Sequence, residues 1–349
     1  MQIYKDCDLT KLNTLGISAR AKFFVEIHSE PDLKELFNLA EFKQNKKIFL
    51  GGGSNVLFTK DFDGIIILNK LKGIEILEEN IESVVIKSMS GEVWHDLVSF
   101  VVDRGLWGIE NLSLIPGTVG GAPVQNIGAY GTELKNVLEN VEAYNIIDGS
   151  KKIFTREECE FGYRDSIFKN SLKEKYFISA ITLRLSKAPK PNLSYKILSE
   201  FLEKNPPAGG EIKNFKASSV GLRSKDISDA VTSIRRSKLP DPAIIGNAGS
   251  FFKNVFVEKK KLQKLLQAYP TMPYFEENKM TKIPSAWLIE QCGWKGKKIG
   301  NTGVHEKHAL VLVNYGGASG EEVKNLAEQI VASVYEKFGL KLTPEVNLL

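Results

Sequence analysis

The segment GNAGSFFKN (246–254) carries a hydroxyl group in an unusual setting. Two glycines, an alanine and an asparagine precede Ser250, and two aromatic residues, a lysine and a second asparagine follow it. A serine in such a place can be a turn residue, a helix cap or a proton donor. The nine residues alone favour a turn serine, so the role of Ser250 depends on the rest of the chain.

The segment LGGGSN (50–55) is a candidate phosphate-binding loop. Three glycines and a serine directly follow the apolar stretch KIFL, and such a loop exposes backbone N–H groups that an anion can approach. It is not a P-loop, because no Gly-Lys-Ser/Thr follows, and position 56 is Val where the dinucleotide fingerprint needs a glycine. A plain tight turn explains the segment equally well.

The segment LIPGTVGGAPVQNIGAYG (114–131) is a second glycine-rich stretch. Its five glycines and two prolines exclude a regular helix or a central strand. It is apolar enough to be partly buried, and buried irregular backbone must satisfy its polar groups. A polar cofactor lying along it would accept those N–H bonds, whereas the alternative is a structural Ω-loop. Two such loops on separate strands fit a dinucleotide with its pyrophosphate between them.

The segment FGYRDSIFK (161–169) places Tyr163 and Arg164 in a polar, aromatic context. Arginine is always charged and can bind a carboxylate with two parallel hydrogen bonds. On local evidence alone, an ion pair with the adjacent aspartate at the surface is the favoured interpretation.

Hydrophobic patterns predict the strands that must position these residues. Asp148-Gly149 predicts the turn of a hairpin over 141–156. The other predicted strands cover 21–28, 47–50, 64–70, 83–91, 175–185, 309–314 and 340–349.

The helices are predicted from apolar periodicity and end signals. Ser29 is a predicted N-cap, with Pro31 in the first turn and Asp32 at the capping-box position. Gly105 and Gly339 are predicted C-terminal ends, and 203–225 is predicted to be a loop. The predicted helices cover 30–42, 92–105, 226–239, 260–269, 285–293 and 320–339, and Pro240-Asp241-Pro242 marks a boundary.

Composition limits the class of protein. The 349 residues are too many for one ordinary core and indicate two or three domains. The net charge of +5 suits an anionic small molecule but is too diffuse for a nucleic-acid groove. Cys7, Cys159 and Cys292 form no C-x-x-C, which argues against a disulfide scaffold or a metal site. With no signal-peptide core and no run of 18 apolar residues, a soluble cytoplasmic protein is expected.

Taken together, the segments resemble the UDP-N-acetylenolpyruvoylglucosamine reductase family, also called UDP-N-acetylmuramate dehydrogenases. The segment around Tyr195, LSYKIL, resembles the longer of two family types. The matching segments run in family order over nearly the whole chain: NTLGI (13–17), GGGSNVLF (51–58), ENLSLIPGTVGGAPVQNIGAYG (110–131), FGYRDSIFK (161–169), SKLPDP (237–242), GNAGSFFKN (246–254), AWLIEQCGWKG (286–296) and LTPEV (342–346).

The resemblance implies an α+β (mixed α/β) fold, namely an FAD-binding fold of the vanillyl-alcohol-oxidase type with an added substrate-binding domain. It implies FAD as cofactor, NADPH as electron donor, and reduction of an enolpyruvyl ether of UDP-N-acetylglucosamine in peptidoglycan precursor synthesis. The alternatives are another FAD oxidoreductase of this fold and a non-catalytic UDP-sugar-binding protein. A monomer without nucleic-acid or membrane partners is expected. The expected domains are 1–70 joined by the strand 341–349, then 71–239, and a substrate domain at 240–340.

The resemblance also assigns catalytic roles. Hydride is added to the methylene carbon of the enolpyruvyl group, and the adjacent carbon then needs a proton, which Ser250 would donate. Arg164 and Glu345 would polarise the substrate carboxylate. Glu345 can donate a hydrogen bond only if its pKa is raised; if ionised, it would instead orient a water or Arg164.

The resemblance assigns the remaining site residues to two ligands. Phe275 aligns with a tyrosine of the family lid unless Tyr274 takes its place, and His308 stands where many relatives have glutamine. The substrate residues are Tyr163, Tyr195, Lys238, Asn254, Phe275, Lys295 and His308. The cofactor residues are Gly51, Gly52, Gly53, Ser54, Asn55, Pro116, Gly117, Thr118, Gly121, Gln125, Asn126, Gly128, Ala129, Tyr130, Gly131 and Arg235.

Overall fold

A computed structural model describes residues 1–207, 221–277 and 280–349 of the chain. Part of the loop predicted over 203–225, residues 208–220, therefore lies outside the described residues. The described residues form two compact units, each built from separate stretches of sequence. Unit 1 comprises Met1–Asp6, Lys22–Gly52 and Asp63–Ser237, and unit 2 comprises Cys7–Ala21, Gly53–Phe62 and Lys238–Leu349.

Both units contain helices and strands. The helices are α1 Glu30–Asn38, α2 Ala40–Gln44, α3 Trp94–Val102, α4 Lys196–Lys204, α5 Ser224–Lys238, α6 Lys259–Ala268, α7 Ser285–Gln291 and α8 Gly320–Phe338. The strands are β1 Ile3–Asp8, β2 Arg20–Ile27, β3 Lys46–Leu50, β4 Val56–Leu57, β5 Phe62–Asn69, β6 Ile74–Glu79, β7 Ser83–Met89, β8 Gly128–Ala129, β9 Thr132–Glu133, β10 Leu138–Asn145, β11 Lys151–Thr155, β12 Tyr176–Ser186, β13 Gly246–Ser250, β14 Val255–Val257, β15 Phe275–Glu277, β16 Met280–Ile283, β17 Lys298–Ile299, β18 Thr302–Val304, β19 Val311–Asn314 and β20 Asn347–Leu348.

The first sheet of unit 1 has the order β1-β2-β5-β3, and its strands β3 and β5 are parallel. Helix α1 begins with the predicted capping box, in which Ser29 accepts a bond from the backbone of Asp32 and Asp32 accepts one in return. The single helix predicted through Phe42 is wrong. Leu39 is extended (φ −71°, ψ 142°), and the chain restarts as α2 so that Phe42 is buried against Phe37.

The second sheet of unit 1 has the order β11-β10-β12-β7-β6, and its paired strands are antiparallel. The predicted hairpin is confirmed, because β10 and β11 pair and Gly149 has a φ of +71° in the turn. Helix α3 buries Trp94, Leu97 and Val101 in the core of this sheet. The indole N–H of Trp94 donates to the carbonyl of Leu112 at 2.9 Å, which fixes the start of the second glycine-rich stretch.

Helices α4 and α5 form a further layer of unit 1. Leu198 and Leu202 of α4 pack with Ile227 and Val231 of α5 around Trp107. In each helix, these apolar residues are three to four positions apart and therefore lie on one face. The layer fixes the end of α5, which carries Arg235.

Unit 2 contains the sheets β13-β19-β18-β17, β14-β16-β15 and β20-β4. Helix α8 begins with a capping box between Ser319 and Glu322 and ends at Gly339, whose φ is +61°. The predicted strand over 340–349 is shorter than expected: β20 pairs in parallel with β4, and Pro344 forms an isolated bridge with Phe252. No helix in the described ranges combines the length and apolar character needed to cross a membrane. The division at residues 70, 239 and 340 stays a prediction.

Candidate active site

The two glycine-rich stretches meet in unit 1. A Cβ on Gly51 would collide with the hydroxyl of Thr118, and a Cβ on Gly52 would lie 3.0 Å from the Cα of Gly117. Only glycine at 51 and 52 allows this approach of one backbone to the other. The meeting point is a cradle formed by two loops, as a bound dinucleotide requires.

Backbone hydrogen bonds anchor the second stretch at the start of α3. The carbonyl of Gly117 accepts from the N–H of Trp94 at 3.0 Å, and the N–H of Val119 donates to Glu92 at 2.9 Å. The N–H groups of Gly117 and Thr118 donate to no other described residue. They are therefore available to an anion, and this chain's residues fit the pyrophosphate of FAD.

Four residues other than glycine adopt left-handed backbone conformations around this cradle. They are Leu114 (φ +56°), Asn126 (+44°), Tyr130 (+49°) and Arg164 (+53°). Each costs roughly 1–3 kcal/mol and persists only where the surroundings enforce it. Such strain is concentrated at functional sites, which supports the assignment of this region.

The side chain of Asn126, a predicted cofactor residue, forms its hydrogen bonds within unit 1. It is fully buried, and its Nδ2 atom donates to the carbonyl of Gly162 at 3.0 Å and to Glu133 at 2.9 Å. Its Oδ1 atom accepts from the N–H of Lys135 at 3.1 Å. The side chain thus fixes the turn that carries Arg164 to the glycine-rich loop.

Arg164 lies against that loop. Its Nη2 atom donates to the carbonyl of Gly128 at 2.5 Å, and its guanidinium lies over the ring of Tyr163 at 5.4 Å. A Cβ on Gly128 would lie 2.9 Å from Nη1 of Arg164, so glycine is needed for the contact. The structure thus places Arg164 half-buried against the glycine-rich loop.

A second cation, Arg235, contributes to the same region of unit 1. Its Nε atom donates to the carbonyl of Leu114 at 3.2 Å. Burial, above all, and the nearby Arg164 lower the pKa of Arg235, while Tyr130 opposes the shift. Burial raises the pKa of Tyr130, against the effect of Arg235. Two arginine side chains in this part of unit 1 favour an anionic ligand.

His95 is a residue that the sequence analysis missed. Its Nδ1 atom accepts from the N–H of Leu114 at 3.1 Å, which holds Leu114 in its left-handed conformation. Burial, partly offset by Asp96, lowers the pKa of His95 and keeps the acceptor form. Its place in WHD, inside a helical pattern, gave no signal of this contact.

The remaining predicted cofactor residues of unit 1 lie along the second glycine-rich stretch. Pro116 and Gly121 are exposed, whereas Gln125 and Ala129 are half-buried. Gly131 (φ +85°) ends the loop, and its carbonyl accepts from Nδ2 of Asn192 at 2.8 Å. Tyr195, a predicted substrate residue, contacts Tyr130 edge to face with ring centroids 5.2 Å apart.

The other half of the first glycine-rich stretch belongs to unit 2. Gly53 has a φ of +62°, and a Cβ there would collide with the carbonyl of Leu12. Ser54 and Asn55 follow, and the carbonyl of Asn55 accepts from the N–H of Asn347 at 3.0 Å. Nδ2 of Asn55 also donates to the carbonyl of Glu345 at 3.4 Å. The C-terminal segment therefore fixes this half of the loop.

Ser250 is the last residue of β13 and follows a bulge. Gly249 has a φ of +68°, and the pairing of β13 with β19 shifts between Asn247 and Ser250. Oδ1 of Asn247 accepts from the N–H of Gly249 at 3.0 Å, which stabilises the bulge. Ser250 is half-buried, and its hydroxyl bonds to no other described residue. It is a strand residue after a bulge and not a helix cap.

Glu345 lies on the segment beside Ser250. Its N–H donates to the carbonyl of Phe251 at 2.8 Å, and Phe252 pairs with Pro344. Unit 2 thus brings two of the three predicted catalytic residues onto neighbouring backbone segments. The third, Arg164, belongs to unit 1.

The predicted substrate residues of unit 2 are spread over several elements. Lys238 ends α5, and Oδ1 of Asn254 accepts from the first N–H of α7, that of Ser285, at 3.1 Å. Lys295 forms an ion pair with Glu290 at 2.8 Å. Nδ1 of His308 accepts from the N–H of Leu310 at 3.3 Å.

Tyr274 and Phe275 are both exposed, at 44% and 55%. Phe275 begins β15, and the ammonium of Lys282 lies 5.8 Å from its ring centroid. Within the described ranges, no cluster of His, Cys, Asp and Glu is arranged to hold a metal ion.

Comparisons with known proteins agree with this geometry. An FAD binding domain model matches residues 21–155, and the UDP-N-acetylenolpyruvoylglucosamine reductase C-terminal domain model matches 241–349. UDP-N-acetylenolpyruvoylglucosamine reductases from Flavobacterium johnsoniae and Amoebophilus asiaticus are 45% and 47% identical, each over 100% of both chains. The crystal structure of such a reductase from Thermus caldophilus is 22% identical, with a TM-score of 0.65 over 99% of this chain and 98% of that one, and supports the fold.

The fold and the cradle define a flavoprotein oxidoreductase with an FAD-binding domain. The full-length matches then make the assignment specific: the chain belongs to the UDP-N-acetylenolpyruvoylglucosamine reductase family. The α+β FAD-binding fold predicted from the sequence is confirmed.

Proposed function

We propose that this chain reduces the enolpyruvyl ether of UDP-N-acetylglucosamine to UDP-N-acetylmuramate, using FAD and NADPH, in peptidoglycan precursor synthesis. The observation that carries the proposal is the set of backbone bonds in unit 2. Asn55 of the cofactor loop binds the segment of Glu345, and Glu345 binds the strand segment that follows Ser250. These bonds support a site in which the hydroxyl of Ser250 and the carboxyl group of Glu345 serve one substrate next to the proposed flavin-binding loop.

The substrate has an electron-poor double bond whose carboxylate must absorb charge. When bound, FAD supplies the hydride that NADPH provides. After hydride addition to the methylene carbon, the adjacent carbon carries enolate-like charge and takes a proton. A serine hydroxyl is a weak acid, but this carbon is basic enough to accept the proton of Ser250.

In this proposal, Arg164 and Glu345 bind and polarise the carboxylate of the substrate. Arg164 offers charge and paired N–H donors, with its guanidinium already held by Gly128 and Tyr163. Its bond to a cofactor-loop carbonyl makes its place depend on that loop. Glu345 completes the set as a hydrogen-bond donor when protonated, or as an orienting group when ionised.

The UDP-sugar is held mainly by Tyr195 and by residues of the C-terminal part. Lys238 and Lys295 supply charge for the diphosphate, and Lys295 exchanges its partner Glu290 for the ligand. Asn254, His308 and the lid aromatic Phe275 or Tyr274 complete the contacts. The family resemblance supports these roles, and supports a cytoplasmic monomer without nucleic-acid or membrane partners.

The test is anaerobic oxidation of NADPH by the purified holoenzyme, with and without the enolpyruvyl sugar nucleotide. The proposal expects one NADPH consumed for each UDP-N-acetylmuramate formed, and no sustained turnover without the sugar nucleotide. Reduction of other enol ethers at equal rates would favour another oxidoreductase of this fold. A colourless protein that binds UDP-sugars would indicate a non-catalytic binding protein.

A further inference from the structure

A buried asparagine of unit 1 connects the glycine-rich loop to the segment before Tyr195. Asn111 is 1% exposed, and its Nδ2 atom donates to the carbonyls of Tyr130 at 2.8 Å and Asn192 at 2.9 Å. Because one amide group serves both carbonyls, it holds the two segments at a fixed separation.

Asn192 makes a second connection between the same segments. Its Nδ2 atom donates to the carbonyl of Gly131 at 2.8 Å, and its Oδ1 atom accepts from the N–H and hydroxyl of Ser194. A Cβ on Gly131 would lie 2.6 Å from the hydroxyl oxygen of Ser194. The backbone of Gly131 therefore packs directly against the side chain of Ser194, and a residue larger than glycine would not fit at position 131.

These bonds determine where Tyr195 lies. Tyr195 directly precedes α4, whose residues Leu198 and Leu202 are buried against Trp107. The asparagine bonds hold the chain before Tyr195, and the helix holds the chain after it. Tyr195 stays 44% exposed, and its ring packs edge to face with that of Tyr130.

We propose that Asn192 and Asn111 are positioning residues that couple the flavin-binding loop to Tyr195, so that affinity for the sugar nucleotide depends on that loop. This rests on the proposed function, since it takes Tyr130 as a flavin contact and Tyr195 as a substrate contact. Whatever orders Tyr130 orders Tyr195 through the same bonds, and by linkage substrate at Tyr195 favours the ordered loop.

The bonding of Asn111 supports a positioning role. Its Oδ1 atom is buried and lacks a hydrogen-bond partner in the described part of the chain. An unsatisfied buried acceptor is unfavourable. The Asn111 amide therefore binds two carbonyls while its own oxygen lacks a partner. One of these carbonyls belongs to Tyr130, whose φ of +49° is a strained conformation.

The test compares Asn192→Ala and Asn192→Asp with the control Asn205→Ala. Aspartate retains the acceptor for Ser194 but cannot donate to the carbonyl of Gly131. Asn205 lies at the other end of α4 and donates to the carbonyl of Phe201 at 2.9 Å, so its loss removes a similar bond elsewhere.

Both Asn192 variants should raise the KM for the sugar nucleotide, and its Kd on the oxidised enzyme measured by calorimetry. The expected change is about tenfold, as for the loss of one hydrogen bond. The value of kcat and the FAD content should stay near wild type. Asn205→Ala should change none of these quantities.

A double variant separates positioning from general structure. If Asn192 acts through Tyr195, Asn192→Ala should weaken binding little further in a Tyr195→Ala background. Additive losses, or an unchanged KM while the wild type turns over, would overturn the coupling. Loss of FAD or of folded protein from both Asn192 variants would also overturn it. A wild-type enzyme that fails to reduce the sugar nucleotide would instead contradict the proposed function.

Discussion

At the scale of the residue, the proton donor can be isolated from the rest of the reaction. Ser250→Ala should leave flavin reduction by NADPH near the wild-type rate, because that step needs no proton from the serine. Reoxidation by the enolpyruvyl substrate should slow by about 10²–10⁴-fold, as for loss of a general acid. Stopped-flow flavin absorbance measures both steps, and Ser250→Cys should recover part of the rate because a thiol can also supply a proton.

Ser237→Ala is a suitable control for Ser250, because that hydroxyl bonds within its own helix, to the carbonyl of Ile234 at 2.8 Å. Unchanged reoxidation in Ser250→Ala would make Ser250 only a strand residue. A joint loss of both half-reactions would show that the serine shapes the flavin site.

The glycine cradle provides a second test at the residue scale. A Cβ on Gly121 would meet no atom within 4 Å, so Gly121→Leu should fold and project a side chain where a phosphate would lie. We expect soluble protein with little FAD, measured by absorbance and by its free energy of unfolding. Gly121→Ala serves as the smaller matched change, and full FAD content in the leucine variant would remove Gly121 from the cofactor site. Gly53 cannot serve, because its left-handed φ and the nearby Leu12 make any substitution a folding defect.

The sequence motifs predicted which residues belong to the candidate site, but not which partners those residues bond to. Motif order predicted Ser250, Arg164 and Glu345 as catalytic residues, and the structure places Ser250 and Glu345 on neighbouring segments. The motif could not show that Asn126 is occupied with Gly162 and Glu133, because those partners are distant in sequence. The ion pair of Lys295 with Glu290 is similarly invisible in a pattern of surface charges.

At the scale of the element, a charge network joins strands of unit 1 to α1. Glu142 of β10 is 8% exposed and pairs with Lys87 of β7 at 2.6 Å and Lys151 of β11 at 2.8 Å. Lys151 also pairs with Glu30 of α1 at 3.1 Å. Burial alone would raise the pKa of Glu142, but the two lysines outweigh it and the pKa is lowered.

A lowered carboxyl pKa stabilises the fold above the unfolded value, and this stability is lost as pH falls through the folded value. Glu142→Gln should therefore reduce the free energy of unfolding by roughly 1–3 kcal/mol at pH 7. The lower part of this range is expected, because both lysines are partly exposed and solvent screens their charges. The variant should also lose less stability than wild type when the pH falls below about 4.

The control for Glu142 lies on the same strand. Glu139 pairs with Arg184 at 2.7 Å on the exposed surface, and Glu139→Gln should cost only about 0–1 kcal/mol. Urea unfolding at pH 7 and near pH 4 measures both variants. Equal costs for the two substitutions, or an unchanged acid response, would show that the network contributes no more than a surface pair.

Elements with strong local patterns were predictable, and those set by distant contacts were not. The predicted ranges of α3 and α8 include the observed helices, because an apolar face and end signals are local. The break at Leu39 was missed since only the burial of Phe42 requires it. Strand β6 was missed because its residues are largely exposed and show no alternation of burial.

At the scale of the whole molecule, unit 2 assembles stretches that are far apart in the sequence. The segment NTLGI (13–17) joins them. The N–H of Thr14 donates to the carbonyl of Gly53 at 3.0 Å, and its hydroxyl donates to the carbonyl of Asn247 at 2.7 Å. Nδ2 of Asn314 donates to the carbonyl of Leu15 at 2.9 Å. No periodicity reveals such contacts. From the sequence, only the C-terminal strand 341–349 was expected to join the distant residues 1–70.

The hydroxyl of Thr14 therefore links the flavin loop to the bulged strand that carries Ser250. Thr14→Val keeps the shape but removes the bond to Asn247, and should lower the free energy of unfolding by about 0.5–1.5 kcal/mol. Because Gly53 and the bulge are then held less rigidly, the Kd for FAD and the rate of flavin reoxidation by substrate should both worsen. Fluorescence titration of the apoprotein with FAD and stopped-flow absorbance measure the two effects.

Thr10→Val is the matched control for Thr14, since that hydroxyl bonds only locally, to the carboxylate of Asp8 at 2.6 Å. It removes a hydroxyl four residues earlier in the chain, at a side chain that does not bond to Gly53 or Asn247. If the two variants bind FAD and reoxidise alike, the NTLGI segment is only a structural part of unit 2. If only Thr14→Val is impaired, a segment distant from both motifs in the sequence sets the geometry between cofactor loop and proton donor.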